Sequence, residues 1–481
     1  MTLRRCATIL LLPPLFFAML SCSKKTAAPG EVPTAALNLA ADLTSKPGTV
    51  FKVDYSDKVV KIEQRVFLDG IRSISSDNTT FVFDPGDAQA SKLKQGSILF
   101  VPGIAMGKVD VATEKDGHLV VVTEVPTLGE VFRNADIQWN VPVKFSEASK
   151  MQGAAAAEPS FFDPPTVHAA GGVSLSGDDD GWKYTVSANP EPGKVNLQMN
   201  VAREYNGIKV SVNGDGYVQD FDTIAAIKIK EGFLEYMNYQ NHGMSGVVNF
   251  NWEAGKEKGG VEAGEQRVKL PSSFTVPLPI GGVPFSLEVS EALLLHPAFT
   301  GGSEIARGKF HVTYGGTQGF KLDQGNMSPD GDGTADGSIL DHFSLTPIAP
   351  VGFVAAGCMP RVELKLGTDS VLTAIKKYAP AGLADGLLEG LKKSPFGKWI
   401  NQQVSDKLKT TGAAYGQLVI STSTIAAGAG SLIPCQKAQL ILTMSVGANA
   451  TVLGQEKANV NKVVYTTTKE VTVPPLKACE V

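Results

Sequence analysis

Strict two-residue alternation of apolar and polar side chains is the feature that most restricts this chain. In "KVNLQMNV", Val195, Leu197, Met199 and Val201 alternate with Lys194, Asn196, Gln198 and Asn200. The same rule runs through Ile208, Val210 and Val212, through Ile227 and Ile229, and through Val248, Phe250 and Trp252. It returns at Phe285, Leu287 and Val289, at Phe310, Val312 and Tyr314, at Val362, Leu364 and Leu366, and from Leu440 through Leu442 and Met444 to Val446. Successive side chains of a strand point to opposite faces, so this period predicts antiparallel sheet with one buried face. Glycine-containing stretches such as "NGDG" and "NHGMSG" lie between several runs and read as turns. No fixed-length repeat is present, which argues against a propeller. The expected fold class is mainly β: a small N-terminal β domain and a large antiparallel sheet or sandwich with an α-helical insert.

Composition agrees. Charged residues make up 19% of the 481, glycine is abundant at 50, and the formal net charge is −4. Low charge with much Gly, Val, Thr and Ser favours sheet and turns over helix bundles. No basic cluster is interleaved with aromatics, so nucleic acid is not an expected partner.

The chain divides by texture. Residues 1–21 read as a signal: Arg4 and Arg5 precede the apolar run "ATILLLPPLFFAML". That run is shorter than the roughly 20 residues a spanning helix needs, and Pro13 and Pro14 interrupt it. Residues 22–48 are rich in Ala, Pro, Thr and Lys and read as a tether spanning about 30 Å root-mean-square. Residues 49–148 read as the small β domain. Within it, "KDG" is a tight hairpin turn and "PTLGEVF" a helical turn capped by Thr127. Residues 149–166 read as a linker, and 167–481 as the large β domain. A helical insert is expected over 369–410, where "SPFGKWINQQVSDKLK" opens with Ser394 as N-cap and Pro395 at the first helical position. Its apolar stripe includes Phe396, Trp399, Ile400 and Val404. The plain reading is that it covers a sheet face; the sharper reading is that these four residues line a ligand cavity.

At the end of the first apolar run stands "MLSC". It resembles the bacterial lipoprotein signal, in which an apolar, a variable and a small residue precede a lipidated cysteine; Met19 stands where Leu is usual. The resemblance implies acyl chains such as palmitate on Cys22. With Ser23 rather than Asp following it, it also implies an outer-membrane, lipid-anchored envelope location. Downstream, "LKQGSILFVPG" and "KVDVATEKDGHLVVVTEVPTLGEVF" are similar to segments of uncharacterised bacterial surface proteins, a likeness that carries no activity.

Candidate chemistry is sparse. "NMSPDGDGTADGS" gathers Asp330, Asp332 and Asp336 among glycines. Such a loop suits either a solvated turn or a structural Ca²⁺, which takes several oxygen ligands, although the spacing departs from an EF-hand. "SGDDDGW" reads as a hairpin turn. "FTVPLPIGGVPFSLEVS" reads as a sheet corner or an apolar lip. Past Cys22, the cysteines are Cys358, Cys435 and Cys479, with Cys358–Cys435 the expected disulfide because they bracket the helical insert. No G-x-S-x-G, H-E-x-x-H or phosphate-binding loop occurs, so no catalytic residue is assigned and the chain is not expected to be an enzyme. The leading function is binding or scaffolding at the envelope, with an apolar or lipid ligand or an envelope protein as partner. Surface adhesion or assembly is the alternative, and a hydrolase comes third.

Overall fold

The structure is a computed structural model that describes residues 42–145 except 76–77, 173–256 except 180 and 206–207, 266–268, 273–290, 293–298, 305–344, 351–356, 361–366, 412–427, 435–450 and 458–473. The signal, most of the tether, the expected linker and the expected helical insert lie outside the described residues, as do Cys22, Cys358, Phe396, Trp399, Ile400 and Val404.

The described chain opens with β1 (Val50–Tyr55), β2 (Val59–Lys61), helix α1 (Gln64–Gly70), β3 (Ile71–Ile74), β4 (Thr80–Phe83), β5 (Ile98–Val101), β6 (Ala105–Lys115) and β7 (His118–Glu124), then helix α2 (Leu128–Val131) and β8 (Phe132–Val143). There follow β9 (Val173–Asp179), β10 (Trp182–Glu191), β11 (Lys194–Tyr205), β12 (Ile208–Gln219), β13 (Phe221–Lys230) and β14 (Phe233–Lys256). Next come β15 (Gln266–Val268), β16 (Ser273–Ile280), β17 (Val283–Ser290), β18 (Leu293–Ala298), β19 (Ile305–Asp323), β20 (Asn326–Pro329) and β21 (Asp332–Ser344). The last five are β22 (Val351–Ala356), β23 (Arg361–Leu366), β24 (Gly412–Ala427), β25 (Cys435–Ala450) and β26 (Ala458–Val473).

These strands form three sheets, and the fold is mainly β as expected. Strands β2–β7 make a six-stranded sheet, the smaller N-terminal domain, around a core of Phe67, Phe81, Phe83 and Val101. Its β6–β7 hairpin turns at Asp116 and Gly117, both at positive φ as the two-residue turn requires. Thr127 caps α2 in a full capping box with Glu130. The flanking strands β1 and β8, however, leave this sheet. β1 pairs with β8, and β8 pairs with β13, so both belong to the large antiparallel sheet.

That large sheet has eleven strands and is organised on β14, 24 residues long and about 80 Å in contour. Along one edge of β14 lies β19. Along the other, β13 pairs with its first half and β12 with its second. β12 and β13 are one collinear run interrupted at Asp220, whose amide donates to Gly193 O at 2.9 Å and whose carboxylate accepts from Phe145 N at 3.0 Å. The second long sheet, of nine strands, follows the same plan: β24 is flanked on one side by β25 and on the other by β22 and β23 end to end.

Three glycine-rich stretches expected as turns are therefore strand. "NGDG" lies inside β12, "NHGMSG" inside β14, and "DGTADGS" opens β21. In β21 the reason is its period. Gly333, Ala335 and Gly337 turn toward β25, while Asp332, Thr334, Asp336 and Ser338 are exposed. A Cβ on Gly337 would stand 2.9 Å from Leu442 Cδ1 and 3.0 Å from Leu440 Cδ2, and one on Gly333 would overlap Met444. The glycine row lets the leucines and methionine of β25 seat directly on the β21 backbone.

"FTVPLPIGGVPFSLEVS" is a hairpin, β16–β17, whose tip fastens the sheets together. Gly281 (φ 60°) and Gly282 (φ 75°) make its turn, and the Phe51 ring fills the place of a Gly281 Cβ. Gly103 N donates to Gly282 O at 2.7 Å. Asp42, within the stretch expected as a tether, accepts from Gly281 N at 3.1 Å and Gly282 N at 2.7 Å. Burial raises the Asp42 pKa, but the hydrogen bonds from Thr44, Gly281 and Gly282 outweigh it and leave it below the usual carboxylate range.

Two expectations follow. Gly337→Leu overpacks against Leu440 and Leu442 and lowers stability by about 1–3 kcal/mol, whereas exposed Ser338→Thr stays within about 0.5 kcal/mol. Urea denaturation measures both, and equal effects would show that β25 does not seat on β21. For Asp42, a lowered folded pKa means its stabilisation is present above the unfolded value near ~3.9 and is lost as pH falls through the folded one. The gap in urea midpoint between the native chain and Asp42→Asn closes on acidification; a gap unchanged between neutral and strongly acid pH refutes the clasp.

Candidate functional site

Half-way along β14 the register changes. Asn241 faces Gln318 and Met244 faces Gly316, so His242 and Gly243 together oppose Thr317. This is a β-bulge, made possible by Gly243 at φ 73°. The His242 Nδ1 and Thr317 Oγ1 atoms are 3.0 Å apart across it. The bulge resets the side-chain phase. Before it the odd residues Met237, Tyr239 and Asn241 are buried; after it the even residues Met244, Phe250 and Trp252 are. Without the extra residue, one half of the strand would turn its apolar side chains to water.

At this level a polar row crosses the inner face of the sheet. Thr223, Asn241 and Gln318 are successive cross-strand neighbours on β13, β14 and β19, and Val141 of β8 lies beside Thr223 at its end. Thr223 and Asn241 are 0% exposed and Gln318 is 1% exposed. Tyr239 OH donates to Asn241 Oδ1 at 3.0 Å, and Trp139 Nε1 approaches Thr223 Oγ1 at 3.5 Å. Burial pushes the Tyr239 hydroxyl far above its ordinary pKa, which Asn241 and Thr223 offset only in part, so it stays a donor.

The row is incompletely paired. Asn241 Nδ2, Gln318 Nε2 and Gln318 Oε1 have no hydrogen-bond partner among the described residues. Each such buried group costs about 1–3 kcal/mol, and native interiors keep few of them. The surroundings are apolar. Trp139, Tyr239, Met244 and Phe320 belong to one core cluster that both long sheets and the small sheet share. Tyr314, Phe250 and Phe310 belong to the next, together with Leu440, Leu442 and Met444 of the opposite sheet.

The aspartates that suit either a solvated turn or a structural Ca²⁺ lie just before β21, at Asp330, and within it, at Asp332 and Asp336. Asp330 accepts from Gln240 Nε2 at 2.8 Å, and Asp332 accepts from Thr317 N at 3.0 Å. Asp336 pairs with Lys469 Nζ at 3.0 Å, which lowers its pKa. Among the described residues no three His, Cys, Asp or Glu side chains gather to hold a metal. Cys435 begins β25, opposite Ala427, while Cys358 lies outside the described residues. Asn241 and Gln318 were not singled out by motif. Their signal was a polar residue in an apolar slot: Gln318 falls in phase with Phe310, Val312, Tyr314, Phe320 and Leu322.

Two family models match the chain. Residues 43–134 match one described as a domain of unknown function, DUF8403, and residues 165–375 match another so described, DUF8402. No curated protein and no solved structure matches it.

Because its amide is unpaired, Gln318 is expected to lower stability in the empty protein. Gln318→Leu should raise the unfolding free energy by about 1–3 kcal/mol, while Thr223→Val, which strips a partner from Tyr239 and Trp139, should lower it. Thermal and urea unfolding of both variants checks this. Destabilisation by Gln318→Leu would mean that the amide is already satisfied.

Proposed function

We propose that this chain is an envelope-tethered binding protein that holds a ligand with an apolar body between its two long sheets. One observation carries the reading: the unpaired amides of Asn241 and Gln318 lie buried in an otherwise apolar interior. Folding alone does not reward that arrangement, whereas a bound molecule that brings its own polar group does. The anchor in this proposal is acylated Cys22, inserted in the outer membrane, with the tether leading to Asp42 and the hairpin clasp. The chain binds its ligand and does not transform it.

A second reading, assembly with another envelope protein, is favoured by β26. This 16-residue strand pairs with β25 alone among the described strands and exposes Val463 (61%) and Val471 (42%). Long edge strands of this kind accept a further strand.

The full chain carrying Cys22→Ala tests the first reading. The variant is expected in the soluble periplasm, and native mass spectrometry is expected to show a non-covalent apolar adduct. Retention with membranes through detergent-free washes would discard the acyl anchor. A bare mass, persisting after incubation with excess amphiphile, would discard binding and leave assembly through β26.

A further inference from the structure

We infer that Gln318 and Asn241 form a head-group site between the long sheets for an amphiphile whose head is uncharged and both donates and accepts hydrogen bonds. This inference rests on the binding reading above and specifies its ligand.

The free valences set the chemistry. Gln318 offers an amide donor and a carbonyl acceptor, and Asn241 offers a second donor, its own carbonyl being taken by Tyr239 OH. A head that only accepts would leave Gln318 Oε1 unmatched; one that only donates would leave both nitrogens unmatched. A hydroxyl, a primary amide or a glyceryl ester supplies both functions.

Charge is excluded by the walls. Among the described residues the buried polar side chains are Ser, Thr, Asn and Gln, and no Lys, Arg, His, Asp or Glu is buried. An ionised carboxylate, phosphate or ammonium brought to Gln318 would meet no counter-ion in a low-dielectric interior, which is strongly unfavourable. Apolar side chains flank the row, with Tyr239 and Phe320 toward one end of the strands and Met244 toward the other, so the body of the ligand runs along the strands while its head meets the row.

The test uses the full chain with Cys22→Ala, extracted free of lipid, titrated at neutral pH with 1-monopalmitoylglycerol, palmitamide, palmitate and hexadecane. Tryptophan fluorescence or calorimetry reads the affinities. The two uncharged heads should bind at least about tenfold tighter than palmitate, the penalty of an unmatched or unpaired buried group. Gln318→Leu should weaken both by about tenfold or more and leave hexadecane unchanged. Circular dichroism and the expected gain in stability confirm that this variant is folded. Palmitate binding as tightly as palmitamide, or a head-group preference that survives Gln318→Leu, overturns the head-group site while binding itself stands. Absence of saturable binding by every probe overturns both readings, with the row then filled by water.

Discussion

The pairing of β14 with β19 is the contact on which the rest of the molecule depends. Two strands of 24 and 19 residues, joined over nearly their whole length, form a spine. Shorter strands attach along it in two groups, β13, β8 and β1 beside one half and β12, β11, β10 and β9 beside the other. A spine of this length meets a difficulty shorter strands escape, because twist accumulates and any phase error exposes an entire half. The bulge at His242 and Gly243 resolves it within one residue, and both halves face one interior.

Close approach of the second long sheet follows from the same economy of side chains. Where β21 presents Gly333, Ala335 and Gly337, β25 presents Leu440, Leu442 and Met444. Large residues of β25 meet the backbone of β21, so these two strands pack in direct contact. At the other end the β16–β17 tip is gripped by Phe51, Gly103 and Asp42, which ties the small sheet, the large sheet and the segment before β1 to one turn.

Against this packing the amide row stands out physically. The interior around it is mainly apolar, and the row departs from that at the bulge, where the backbone is already irregular. Bulges re-aim side chains and recur beside functional sites. A buried group kept without a partner is stability forgone, and the proposed binding of a ligand that brings the missing partner would recover it.

The sequence by itself determined the fold class. Alternation in β11, β13, β19 and β25 is a local property of the chain, so sheet with one buried face was legible without any long-range contact. Local too were the "KDG" turn, with Asp116 and Gly117 at positive φ, and the Thr127–Glu130 capping box. What a glycine does is not local. In "KDG" it turns the chain; in "DGTADGS" it makes room for leucines about a hundred residues away; in "NHGMSG" it completes a bulge against Thr317. Nor is the fate of a polar residue local. Asn241 and Gln318 are separated by most of β14 to β19, and only their cross-strand register places them side by side under Tyr239. Register, depth and the absence of a partner are properties of the assembled sheets, so the tertiary structure alone decided where this protein departs from its own pattern.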